Sequence, residues 1–148
     1  MRNKKARYNV CFDEKEQKPE YEKGKGTVVA FEQVPSLNKI RMNLDQYLGP
    51  KAENLKAEGN LYYDVEKCYI GFHGDSERKI VVAFRFGDLP LYYQWYLQGK
   101  TIGERLELKL KSGDIYIMSE KASGNDWKQR KIPTLRHAAG HLKNLIKK

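Results

Sequence analysis

The stretch with the clearest chemical potential is His73-Gly74-Asp75. In an extended chain, residues two apart point to the same face. The His73 imidazole and the Asp75 carboxylate therefore project side by side, with no side chain from Gly74 between them. One imidazole and one carboxylate are two thirds of the 2-His-1-carboxylate arrangement that holds non-haem Fe(II). The chain has three histidines, so the third ligand is His137 or His141. His137 ends a short extended run, Thr134 to His137, which suits a rigid ligand position. His141 lies past Gly140 in a short tail and is less constrained. The expected metal ligands are His73, Asp75 and His137. Two residues past Asp75, the charged pair Glu77-Arg78 follows. Trp127 stands in a polar loop among Asn125, Asp126 and Lys128, where an aromatic ring can stack on a flipped base. Trp95, inside an apolar run, reads as core.

These residues need a scaffold, and the pattern around them is mainly extended. Tyr8, Val10 and Phe12 alternate with Arg7 and Asn9, the mark of a half-buried strand. Asp13 to Lys25 is charged and broken by Pro19 and Gly24, so it reads as a loop. Thr27 to Phe31 is a short β-rich run. Leu37, Ile40, Leu44 and Leu48 recur at helical spacing behind Pro35, and Gly49-Pro50 stops them, which predicts one main helix over about 35–48. Extended runs then follow around 60–64, 68–73, 79–87, 89–96, 105–110, 115–118 and 134–137. A Lys111-Ser112-Gly113-Asp114 turn separates two of them. Many short strands with turn signals and one helix predict an antiparallel sandwich or barrel in a single domain over 1–148.

The combination is more specific than its parts. Asn60-x-Tyr62 ahead of His73-x-Asp75, with Glu77-Arg78 after it and a Val-rich strand ending in Gly87, closely resembles the AlkB family. That resemblance implies a mainly β fold (α+β): a double-stranded β-helix, or cupin-like jelly roll, with one main helix packed on it. It also implies an Fe(II)- and 2-oxoglutarate-dependent dioxygenase that uses O2. Within it, His73, Asp75 and His137 would ligate iron, and Asn60 and Tyr62 would contact 2-oxoglutarate. The family places an Arg-x-Asn strand after the distal histidine, and its Arg pairs with the far carboxylate of 2-oxoglutarate. No Arg follows His137 here, but Arg7-Tyr8-Asn9 looks like that strand moved to the front of the chain, as in a circular permutation. Arg7 and Asn9 would then complete the cosubstrate site, since a dicarboxylate calls for a bidentate, permanently charged partner. The family often carries a second Arg where this chain has Asp13. Glu77, Arg78 and Trp127 would face the substrate.

Composition bounds the partners. The 148 residues carry a net charge of +9, which favours polyanions through counterion release. Together with the resemblance, this makes DNA or RNA the expected substrate and oxidative demethylation of alkylated bases the expected reaction. Hydroxylation of an unmodified base or of a protein side chain, or a basic nucleic-acid-binding module without catalysis, are the alternatives. No apolar run approaches the ~20 residues that cross a bilayer. Cys11 and Cys68 are too few and too isolated for a disulfide framework or zinc knuckle. An intracellular monomer, cytoplasmic or nuclear, without a secretory signal or membrane partner is expected.

Overall fold

The computed structural model describes residues 7–146. The chain divides into two compact units, Arg7–Leu61 and a second that takes up Tyr62–Lys148. It is mainly β, with several antiparallel sheets. No helix among the described residues is long and apolar enough to cross a membrane.

The first unit holds a three-stranded sheet. Strand β1 (Tyr8–Asp13) lies between β2 (Val28–Ala30), which is parallel to it, and β3 (Ala57–Leu61), which is antiparallel. Cross-strand pairing sets Asn9 opposite Asn60 and Val10 opposite Gly59. The alternation read from the sequence holds for Val10 and Phe12, which are half-buried, while Tyr8 stays exposed. The expected single helix is two pieces, α1 (Pro35–Arg41) and α2 (Asp45–Leu48). The break lies at Met42 to Leu44. There the Asn43 side chain donates to the Lys39 carbonyl at 2.6 Å and competes for the acceptor that its own backbone would use. Burial also departs from the apolar spacing. Ile40 is 44% exposed, and Arg41 is buried with its guanidinium 3.9 Å from the Phe31 ring centroid and 2.8 Å from Glu14 Oε1. A stacked cation with a carboxylate at its tip makes an interior position available to Arg.

The second unit has two sheets. Four strands, β4 (Ile70–His73), β9 (Thr134–Ala139), β6 (Leu91–Leu97) and β7 (Lys100–Leu108), form the larger in that spatial order, all antiparallel. Two more, β5 (Ile80–Phe84) and β8 (Ile115–Ser119), form the smaller. Leu91, Tyr93 and Ala139 of the larger sheet and Met118 of the smaller share one buried cluster, joined by Val81, Tyr116 and Tyr62. The strands β6 and β7 meet in a two-residue turn at Gln98-Gly99, both with positive φ, which matches the twist of a hairpin. Their pairing shifts between Tyr93 and Trp95, and the Gln94 amide spans the irregularity by donating to the Ile102 and Gly103 carbonyls at 3.0 and 3.3 Å. The segment from Glu120, expected to be wholly loop, opens with a short helical turn, α3 (Glu120–Ser123), capped by the Ser119 hydroxyl. The basic tail contributes α4 (Leu142–Leu145).

Candidate metal centre

Residues far apart in sequence become neighbours on the inner face of the larger sheet, the face that carries the buried cluster. Cross-strand pairing sets His73 opposite His137, and His137 opposite Tyr93 on the other side. The two imidazole rings lie 4.4 Å apart. Asp75 follows β4 and turns its carboxylate to both: Oδ1 is 3.8 Å from His73 Nε2, and Oδ2 is 3.7 Å from His137 Nε2. One donor atom from each of the three residues lies within 4.8 Å of the others.

The protonation states suit a cation. A carbonyl only accepts, so the 2.8 Å contact to Gly71 O puts the proton of a neutral His73 on Nδ1 and leaves a lone pair on Nε2, toward Asp75. Burial, then the nearby His73 and Arg78, push the pKa of His137 down from 6.5 to about 3. The Ala122 backbone pulls weakly the other way from outside hydrogen-bond geometry, since His137 Nδ1 is buried with no hydrogen-bond partner. A neutral, buried imidazole whose Nε2 faces the carboxylate, beside a second lone pair on His73 Nε2, is a donor set fitted to a divalent metal. Donors about 2.0–2.2 Å from a common ion at right angles are about 3 Å apart. The observed separations of 3.7 and 3.8 Å close to that by small side-chain rotations.

The ligand turn is held from behind. Phe72, Gly74 and Ser76 alternate with His73 and Asp75 and face the other way. There Trp127 Nε1 donates to Ser76 Oγ at 3.1 Å. A Cβ on Gly74 would meet the Gly124 carbonyl oxygen, and would lie 2.6 Å from Trp127 Cβ. Only glycine permits that approach. The Asp75 amide donates to the Ser123 carbonyl at 2.9 Å, and the fully buried Ser123 hydroxyl donates to the Arg78 carbonyl at 2.9 Å. The loop beyond α3 is itself pinned, with Lys121 Nζ 2.6 Å from Asp126 Oδ2 and 2.8 Å from the Pro133 carbonyl.

This chain is 54% identical over 139 residues, 93% of its length, to an uncharacterized protein of Acanthamoeba polyphaga mimivirus. The chain spans about half, 54%, of that relative's length. No family model matches it, and no solved structure does.

The other residues singled out in the sequence fall into distinct places. Arg7, Asn9 and Asn60 meet in the first unit. Arg7 Nε donates to Asn60 Oδ1 at 2.5 Å, and Asn9 Nδ2 donates to the same oxygen at 3.1 Å. Glu58 Oε1 is 3.7 Å from the Arg7 guanidinium and 2.6 Å from Asn9 Nδ2, so a carboxylate already faces the pair. Tyr62 packs against the core of the second unit. Arg78 turns back onto Asp75, its Nε 3.5 Å from Oδ2, while Glu77 is exposed. His141 sits 3.1 Å from Glu66 Oε1 and is not one of the three clustered donors. Trp95, read as core, is 38% exposed at the end of its run, with the Lys121 ammonium 5.5 Å from its ring. Two further neighbours of the site are not among the expected metal or cosubstrate residues. Tyr93 lies 6.2 Å from His137, with burial raising its hydroxyl to about 12, so it stays a proton donor. Ser123 supports the turn from a segment whose polar composition reads as loop.

Proposed function

We propose that this chain is an AlkB-like, Fe(II)- and 2-oxoglutarate-dependent dioxygenase built on a jelly roll and acting on alkylated nucleic-acid bases. The observation that carries the reading is the convergence of His73, Asp75 and His137 from strands at opposite ends of the second unit. Two facing sheets with the cluster on the inner face are compatible with a double-stranded β-helix. The permuted-strand reading draws support from β1, which pairs with the Asn60 strand and brings Arg7 and Asn9 against Asn60.

His73 and His137 would each give Nε2 and Asp75 one oxygen to the metal. An iron centre with 2-oxoglutarate and O2 supplies the oxidation of a C–H bond, and on an N-methyl base the product releases formaldehyde. The chain's own part is positional. Gly71 fixes the tautomer of His73, burial keeps His137 neutral, and the Ser123 contacts hold Asp75 in place. Tyr93 packs 6.2 Å from His137 and keeps its proton. Arg7 and Asn9 would take the far carboxylate of the cosubstrate, with Glu58 swinging away as that anion enters. The net charge of +9 would draw the phosphate backbone.

Mn(II) binding followed by spin resonance, paired with succinate release across methylated single-stranded DNA, methylated RNA and peptides, tests the reading. Expected are one metal per chain and succinate only with one of the methylated substrates. Metal affinity unchanged by both His73→Ala and Asp75→Ala sinks the metal centre. Metal binding with no succinate on any substrate sinks the dioxygenase.

A further inference from the structure

The outer face of the four-stranded sheet, opposite the face that carries His73 and His137, holds an unusual row of side chains. Register puts Arg136 on β9 beside Gln94 on β6, with Tyr96 two residues along. Phe72 on β4 and Arg105 on β7 flank them by the same alternation. The groups touch in series. The Arg105 guanidinium lies 5.6 Å from the Phe72 ring, and Phe72 lies 6.2 Å from Tyr96. Arg136 lies 4.1 Å from the Tyr96 ring and 5.3 Å from the Trp127 ring, and Lys128 lies 5.9 Å from Trp127. Cations and rings are thus interleaved across the face and onto the loop behind Gly74.

The cations lack counter-ions. Among the described residues Arg136, Arg105 and Lys128 form no ion pair or side-chain hydrogen bond, and Arg136 Nε is buried without a partner. A guanidinium stacked on ring faces leaves its in-plane terminal N–H groups to match phosphate oxygens. Rings beside such cations can receive a base on a face the cation does not cover. A row of unpaired cations alone would take any polyanion. The interleaved aromatic rings select a polyanion with exposed π-faces, and duplex DNA hides those faces in its stack.

We infer that this face is a track for single-stranded nucleic acid, in which Arg105, Arg136 and Lys128 hold phosphates and Phe72, Tyr96 and Trp127 receive bases. It deepens the nucleic-acid part of the proposed function and does not depend on the metal. Because it lies behind the ligand turn, it would hold strand flanking the site and not the reacting base. Trp127 then stacks along this track instead of inside the substrate pocket.

Anisotropy of a fluorescent oligothymidylate of about a dozen nucleotides tests the track, using the full chain at low salt. Arg136→Gln is expected to weaken binding about tenfold and to lower the salt slope by about one. Arg105→Gln, at an exposed position and therefore safe for folding, should weaken it several-fold. Arg136→Lys, which keeps the charge and loses the planar stack, should fall between wild type and Arg136→Gln. Binding in excess EDTA should match binding with Mn(II) present, so loss of the metal centre and loss of the track read out separately. Wild-type affinity and slope in both Gln variants overturn the track. Equal binding of an abasic oligomer overturns the stacking role, and displacement by polyglutamate at equal charge concentration assigns the face to acidic peptides instead. Loss of binding on chelation alone would overturn the track's independence of the metal.

Discussion

At the scale of single residues, the centre rests on three donors and one absent side chain. Replacing either His73 or Asp75 with Ala removes a ligand, and Mn(II) affinity should fall by about 100-fold or more. Calorimetric titration checks this. Gly74→Ala is expected to do similar damage by a different route. The added methyl would press on the Gly124 backbone and the Trp127 side chain, so the turn that carries Asp75 must move. Overpacking of this kind costs about 1–3 kcal/mol, measurable as a lower denaturation midpoint alongside the weaker metal affinity. His137 gives a pH dependence with a definite sign. In the folded protein it holds out against protonation until about pH 3, whereas in the unfolded chain it titrates near 6.5. Between those values the unfolded state binds more protons, so the metal-free protein should lose stability steadily as pH falls from 6.5 toward 3. Thermal melts between pH 7.5 and 4.5 should show that slope, and His137→Gln should flatten it.

At the scale of elements, β1 and β3 form the decisive pair in the first unit. Their register brings Arg7 and Asn9 against Asn60, with Glu58 as the resident carboxylate. If β1 is the displaced final strand of the family fold, Arg7→Ala should raise the 2-oxoglutarate concentration needed for half-maximal turnover by about tenfold or more, as loss of a charged hydrogen-bonded partner implies. Metal affinity should stay the same, and an unchanged 2-oxoglutarate requirement would remove β1 from the cosubstrate site. The helix in the same unit shows where local reading stops. Helical spacing of Leu37, Ile40, Leu44 and Leu48 is plain in the sequence. The burial of Arg41 is not, because it depends on partners outside the helix, Phe31 and Glu14. Likewise, the composition of 120–133 is that of a loop. The Ser119 cap and the Ser123 contacts that turn it into a support for Asp75 become visible only once β4 and α3 are adjacent.

At the scale of the whole molecule, charge is the dominant property. A chain at +9 should bind single-stranded nucleic acid with a strong dependence on salt. With about four phosphates contacted, raising salt from about 50 to 200 mM should weaken binding roughly 50-fold. Anisotropy across that range checks it, and a flat response would mean that the charge serves solubility alone.

The sequence by itself determined the elements and the inventory of donors. Alternation marked most strands, Gly113 and the Gly49-Pro50 pair marked turns, and His-x-Asp put two donors on one side of one segment, because these patterns depend on backbone geometry within a few residues. The tertiary structure decided which distant residues meet. That His137 and not His141 joins the pair follows from the register of β9 against β4. That Trp95 is exposed follows from its place at the rim of the inner face. That Phe72, Tyr96, Arg105 and Arg136 form one row follows from four strands lying side by side. Such neighbours are set by strand pairing and packing across long separations in the chain, and no local pattern records them.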